Sequence, residues 1–445
     1  MTHVVVLVPG IMGSELWLDG EIIWPGPVRS LIFAYGNMAA LMRDDLVATD
    51  IIRRYSISEQ YGALIDDLGT CGFREQDAPP TLFVYPYDWR KSVSLAAAGL
   101  AELVGRAIAL HGGELDVTLI GHSMGGLVCR YYLESGDHSH KPSTAHVRRL
   151  ITLGTPHRGS PLALTAALGH EKRLFLSAEQ VYLLGSDPRF PGLYHLLPPP
   201  GEPFAWDRAR EAEFGHVDVY DHEVAGALGL VRDNLEAARA FHSKLDIAKR
   251  PDGVRYFFFV GTRQTTISHV SLLKRAAGFS AQRVELEDAG DGTVPSWSAG
   301  VTGIQNMPVG GEHHILYKSP EVRRTLAVLL GKAGVLAGDP DRVEVALRER
   351  VVNPSDNVHV SITFASGVNE VEGELRVEAA RFDGAGQLLG YLPAVAAYPI
   401  RYMGLDAEKI GVIFRAPTRA GIYRIAYYPL GGGEHSGSDD LFVQA

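Results

Sequence analysis

Cysteine is nearly absent: Cys71 and Cys129 are the only two in 445 residues. Two cysteines make no disulfide framework, so the fold must be held by its core, which fits a reducing compartment. Lysine and arginine never form a run and the formal net charge is −10, which excludes the basic face that nucleic-acid binding needs. No segment approaches the ~20 apolar residues that span a bilayer. Met1-Thr-His is followed at once by Val4–Val8, which reads as a core strand rather than a leader, so the expectation is a cytoplasmic protein. No internal repeat or low-complexity tract stands out. What is present is an ordinary globular composition, 21% charged and 46% hydrophobic, long enough for one large enzyme domain with an addition.

Short apolar runs recur at Val4–Val8, Thr81–Tyr85, Val117–Ile120, Leu150–Leu153 and Tyr256–Val260. Runs of this length and β-branched content predict doubly buried parallel strands. Helical patterns lie between them; from Ser94 to Leu110 the residues Leu100, Leu103, Val104, Ala107 and Ile108 make the stripe of a helix lying on a sheet. The alternation predicts an open α/β sheet, with ligands at the carboxyl ends of its strands. Two insertions interrupt it. Residues 14–59 hold Trp17, Ile22, Ile23, Trp24, Leu31, Ile32 and Phe33 and read as a lid. Residues 161–249 read as a cap. The catalytic domain is placed at 1–334. Beyond it, Val358, Val360, Ile362 and Phe364 alternate with polar residues, and similar strands return up to the C-terminus. This texture predicts an accessory antiparallel β-sandwich-like domain over 350–445.

The chemistry concentrates around Gly121-His-Ser-Met-Gly125. The run Val117–Ile120 before it and a helical run after it put Ser123 at the tip of a strand–turn–helix elbow. There the hydroxyl stands clear of the sheet, and the N–H of Met124 points where an oxyanion would form. A serine hydroxyl is a poor nucleophile at neutral pH, so an imidazole must take its proton and a carboxylate must orient that imidazole. In such a fold the acid and base follow the nucleophile in the chain. Asp291, in the glycine-flanked loop Gly290–Pro295, is the better acid candidate, and Asp288 is the competitor. His313 and His314 are adjacent in Gly310–Leu316, and only one can act as base. The turn Val8-Pro-Gly-Ile-Met-Gly13 follows the first strand, and the N–H of Met12 is the second oxyanion candidate. Asp88 and Arg90 read as a buried ion pair, and His157 as a loop-fixing group.

Five segments occur in a fixed order: Val8–Leu16, Pro86-Tyr-Asp-Trp-Arg90, Gly121–Gly125, Leu153-Gly-Thr-Pro-His-Arg-Gly-Ser160 and Gly290-Asp-Gly-Thr-Val294. As a set they resemble the lecithin:cholesterol acyltransferase family, which includes lysosomal phospholipase A2 and the phospholipid:diacylglycerol acyltransferases. The resemblance covers about Val4 to Gly331. It implies an α/β-hydrolase fold with a Ser–Asp–His triad that falls on Ser123, Asp291 and His313, and oxyanion donors at Met12 and Met124. The lid that carries a tryptophan in the family falls around Trp24, with Trp17 beside it, as substrate-contact candidates. The disulfide of that lid in secreted relatives and the membrane anchor of the diacylglycerol enzymes have no counterpart.

The resulting expectation is a serine acyl hydrolase or acyltransferase acting on an ester lipid, with no cofactor and no metal. Its partners would be the lipid ester and a membrane surface met through the lid, without nucleic acid. A carboxylesterase of soluble or short-chain esters is the alternative. A catalytically silent scaffold recruited by the β region is a third.

Overall fold

The computed structural model describes residues 2–26, 35–55, 58–213, 215–276, 278–336, 343–383, 388–431 and 434–444. The lid residues Leu31, Ile32 and Phe33 fall outside them. The chain divides into two compact units. One comprises Met1–Trp24, Met38–Ile52 and Ile65–Tyr317, the other Pro25–Asn37, Arg53–Leu64 and Lys318–Ala445.

The first unit is built on a six-stranded parallel sheet of β1 (Thr2–Val8), β2 (Leu82–Val84), β3 (Leu115–His122), β4 (Val147–Leu153), β5 (Arg255–Thr262) and β6 (Gln305–Gly310), in the spatial order β6-β5-β4-β3-β1-β2. Val4 through Val8 are all at 0% exposure, because helices and neighbouring segments cover both faces of a parallel sheet. Each such side chain contributes ~1.5–3 kcal/mol of burial. The predicted amphipathic helix is α1 (Val93–Leu110), started by Ser92, whose hydroxyl accepts from the Ser94 N–H. Its buried residues Val93, Ala96, Ala97, Leu100, Ala101, Val104 and Ala107 form one stripe. By length and apolarity this helix also meets the criterion for a membrane span. Its exposed Glu102 and Arg106 and its single buried stripe are those of a helix lying on a core. The helix after the serine is α2 (Met124–Glu134).

The chain leaves β1 towards β2 on one side and then enters β3 on the other. The loops after β1 and β3 therefore part in opposite directions, which opens a crevice at the carboxyl edge of the sheet. Strand order and connections are those of an α/β-hydrolase fold.

One feature was not foreseen. Between β5 and β6 the chain makes a long antiparallel hairpin, Gln264–Arg275 with Gly278–Gly290, in which Gln264 pairs Gly290. The short strand Ala205–Asp207 joins it in parallel. Val270 and Leu272 of the hairpin share a core with Leu164, Tyr194, Phe204 and Leu235, so hairpin and cap insertion form one body. The cap also carries two helices, His222–Leu228 and Arg232–Lys244, parted by Gly229 in a left-handed conformation.

In the second unit, the alternating run of Val358, Val360, Ile362 and Phe364 belongs to one long strand, Asn357–Phe382. It pairs antiparallel with Val343–Leu347, Gly421–Pro429 and Ala396–Arg415. Register shifts between Thr363 and Glu370 bend it, so both halves face one core. That core holds Val358, Val360, Ile362, Leu375, Val377, Ile425, Tyr427 and Leu441. The β region's strands begin at Val343, before the expected start at 350.

His122, His195 and His242, buried in the first unit, resist protonation. Burial pushes the pKa of His122 and of His195 down to about 3, and that of His242 down to about 4. Unfolded, each titrates near ~6.5. Above that pH both states are neutral and stability is flat. Below it, the unfolded chain binds protons that the native chain refuses, so stability falls from about pH 6.5 downwards by ~1.4 kcal/mol per pH unit for each histidine. Urea unfolding midpoints should match at pH 7 and 8 and drop clearly by pH 5. A midpoint unchanged down to pH 5 would contradict the burial of these rings.

Candidate active site

Ser123 sits between β3 and α2 at φ +53° and ψ −126°, a conformation that residues with a side chain seldom adopt. The turn is forced by a close approach. A Cβ on Gly125 would lie 2.3 Å from the carbonyl oxygen of Val8, and one on Gly121 would lie 2.6 Å from the Gly126 nitrogen. With hydrogen atoms in both places, α2 presses against the end of β1 and the Ser123 hydroxyl is left in the crevice. The Ser123 N–H bonds the Leu153 carbonyl at 2.9 Å, which ties the elbow to the end of β4.

The structure brings Ser123, His313 and Asp291 together. His313 Nε2 is 2.9 Å from Ser123 Oγ, and His313 Nδ1 is 2.7 Å from Asp291 Oδ2. A carboxylate only accepts, so Nδ1 carries the ring proton and Nε2 is the nitrogen that can take the serine proton. It is His313, not its neighbour His314, that bridges the other two. Asp291 is fully buried, whereas Asp288 is exposed on the hairpin at φ +55°. The buried carboxylate is satisfied. Its Oδ1 accepts from the N–H groups of Thr293 at 3.0 Å and Val294 at 2.7 Å. The hairpin starts at the end of β5 and returns to it, so the acid is delivered to the carboxyl edge of the sheet although 28 residues separate it from Arg263. The His313 N–H also bonds the Asp291 carbonyl at 2.8 Å, which locks the acid and base loops together.

The motif Leu153–Ser160 braces the acid loop, a role that its residues did not disclose. Ser160 donates its hydroxyl to the Thr293 carbonyl at 2.7 Å, and Ser298 donates to the Gly159 carbonyl at 2.5 Å. The Arg158 N–H returns a bond to Ser298 Oγ at 3.2 Å. Ser160 lay inside a recognisable motif, but nothing local marked Ser298. His157 is buried beneath this loop, stacked on Phe258 at 3.8 Å and 3.1 Å from Thr152 Oγ1. Burial, then the Arg130 charge, holds its pKa well below the usual histidine range. Both facts suit a loop-fixing group rather than a second base.

His122 was also overlooked. Its Nε2 donates to the His313 carbonyl at 3.0 Å, and its ring lies 4.9 Å from that of His313. Burial, then repulsion from His313, holds it neutral, so no second cation competes beside the base.

Met12 and Met124 lie on the two loops that flank Ser123. Met124 is the first residue of α2, so its amide belongs to the positive end of the helix dipole. Met12 is buried at φ +62°, which costs an L-residue ~1–2 kcal/mol. The carbonyls around it are engaged. Tyr87 donates its hydroxyl to Pro9 at 2.9 Å, the Gly13 N–H bonds Gly10 at 3.1 Å, and the Ile52 N–H bonds Gly13 at 2.9 Å. The Trp24 indole donates to the Met12 carbonyl at 2.9 Å.

Trp24 is itself fully buried, in edge contact with Trp89, rather than facing solvent. Trp17 is half-buried, with its indole N–H on Glu15 at 2.9 Å. Asp88 and Arg90 form the expected ion pair at 2.6 Å, and Arg90 also donates to the carbonyls of Leu41 and Arg43.

Residues 43–227 match the family model described as lecithin:cholesterol acyltransferase. Lecithin-cholesterol acyltransferase-like 4 of Arabidopsis thaliana is 25% identical over 400 residues, which cover 76% of this chain and 70% of that protein. Among solved structures, a chain of the Tle4–Tli4 complex is similar over 76% of this chain and 99% of its own, with 15% identity and a TM-score of 0.48. An alpha/beta hydrolase superfamily protein from Enterococcus faecalis is similar over 74% of this chain and 90% of its own, with 13% identity and a TM-score of 0.31. The family match contains Ser123 and the loop that braces the acid, but it ends before Asp291 and His313.

Gly154 sets a sharp test of this geometry. It lies at φ +57°, and a Cβ there would sit 2.8 Å from Asp291 Oδ2 and 3.1 Å from His313 Nδ1. Gly154→Ala should slow labelling of Ser123 by a fluorophosphonate by about tenfold or more, since a displaced imidazole no longer activates the hydroxyl. Labelling at the wild-type rate would mean that the acid–base contact is not what activates Ser123.

Proposed function

We propose, for a chain whose residues 43–227 match the lecithin:cholesterol acyltransferase family model, a serine acyl-transfer mechanism on lipid esters. The protein is an enzyme of lipid ester chemistry, a hydrolase or an acyltransferase. The finer reading is a phospholipase A-type or lipid acyltransferase activity on a glycerophospholipid. The observation that carries it is the chain of hydrogen bonds from Ser123 through His313 to Asp291, at 2.9 and 2.7 Å, on the crevice edge of the sheet.

The steps follow from the donors and acceptors. His313 Nε2 accepts the Ser123 proton as Oγ attacks the ester carbonyl. In this reading the negative charge that develops on the carbonyl oxygen falls to the N–H groups of Met12 and Met124. Asp291 holds the ring by Nδ1 and stabilises the imidazolium. The ring then gives its proton to the departing alcohol, which leaves an acyl ester on Ser123. Water or a lipid alcohol, deprotonated by His313 in its turn, attacks that ester and frees the enzyme. Because Trp24 is buried, lipid contact by the 14–59 segment falls to its other apolar residues.

Two measurements test this reading. Ser123→Ala and His313→Ala should each lower kcat roughly 10⁴-fold or more, while Asp288→Asn and His314→Ala keep most of the turnover. A Ser123→Ala protein that stays active ends the mechanism. With labelled phospholipid, the purified protein should release fatty acid, faster from micelles than from monomers, and a new ester should form on adding a lipid alcohol if the enzyme is a transferase. Equal rates on monomers and micelles would favour the soluble-ester reading.

A further inference from the structure

We propose that Trp24 is a positioning residue for the oxyanion site, acting as a latch on the strained residue Met12; this rests on the acyl-transfer reading above. Met12 has a side chain yet sits at φ +62°, where only glycine rests without strain. A residue in that state relaxes to negative φ unless its surroundings over-determine it. The restraint visible on its carbonyl is the indole N–H of Trp24, at 2.9 Å.

That donor cannot easily move away. Trp24 is at 0% exposure, with its ring 5.4 Å from Trp89 edge-on and 6.2 Å from Phe175. It ends the short strand Glu21–Trp24, where it is paired with Leu16. The Met12 N–H and carbonyl are joined through the two torsions of one residue. Holding the carbonyl therefore holds the direction of the N–H, the group asked to meet the developing oxyanion. The Gly13 N–H belongs to the same peptide unit as that carbonyl and bonds the Gly10 carbonyl at 3.1 Å, so the turn and the indole hold this unit from both ends. The large aromatic at the root of the lid segment thus serves the chemistry from inside the core, without touching substrate.

The latch can be cut without changing the packing by placing benzothienylalanine at position 24, in which sulfur replaces the indole N–H. Trp24→Phe removes the same donor with natural residues. On the soluble ester 4-nitrophenyl butyrate, both full-length variants should lose about 10- to 100-fold in kcat with KM within about twofold of wild type, since one donor is displaced rather than the whole site. Adding Met12→Gly to Trp24→Phe should restore at least tenfold, because glycine holds a positive φ without a latch. A purely structural tryptophan would not be rescued in this way. The latch is overturned if the benzothienylalanine protein keeps the wild-type kcat, or if Met12→Gly restores nothing to a folded Trp24→Phe protein. A wild-type protein that fails to hydrolyse the ester would instead overturn the acyl-transfer reading, and the latch with it.

Discussion

The site depends on one backbone contact, the approach of α2 to the end of β1, where Gly125 meets the Val8 carbonyl at a distance that no Cβ could occupy. That contact sets how far the helix comes down and so forces Ser123 into positive φ. It also puts the first amide of the helix beside the turn that carries Met12. The positions of Ser123, Met12 and Met124 are therefore consequences of the same packing event. Strain at Ser123 and Met12 is affordable because the sheet beneath is fully buried and rigid.

Asp291 and His313 reach that point by a different route. Asp291 lies in a loop and His313 opens the short 3-10 helix His313–Lys318, and neither is on a strand of the parallel sheet. Asp291 arrives at the end of a hairpin that leaves β5 and returns to it, and His313 follows β6. Loops this long lose precision unless they are tied, and here each is tied to something else. The acid loop is stitched to the loop after β4 by Ser160 and Ser298, and the base loop is tied to the acid by backbone and to the elbow by His122. Low exposure then makes these bonds strong, and it keeps His122 uncharged next to the His313 imidazole.

Much of this was legible in the chain. Five apolar runs matched strands of the sheet because a parallel strand buried on both faces has no polar alternation to confuse the reading. The elbow at Ser123 was legible because its steric demand is local: glycines two residues either side and a strand before it. Asp291 rather than Asp288 was suggested by its glycine-bounded loop. The hairpin from Gln264 to Gly290 escaped, since its arms are only half-buried and their pattern is broken by bulges. Trp24 read as a lid residue because an aromatic cluster in an insertion looks alike whether it faces lipid or packs inward.

Local sequence determined what is set by near neighbours: strand periodicity, the amphipathic stripe of α1, the turn at Ser123 and the chemical types available for acid and base. The residues themselves left the adjacent histidines open and only the resemblance favoured His313; the tertiary structure decided which ring reaches the serine, because one residue of offset in a loop turns the ring to a different side. It also decided that Ser160, Ser298, His122 and Trp24 serve the site. Their partners lie 12 to 191 residues away, and a hydrogen bond between such distant positions exists only once the strands between them have been ordered into a sheet.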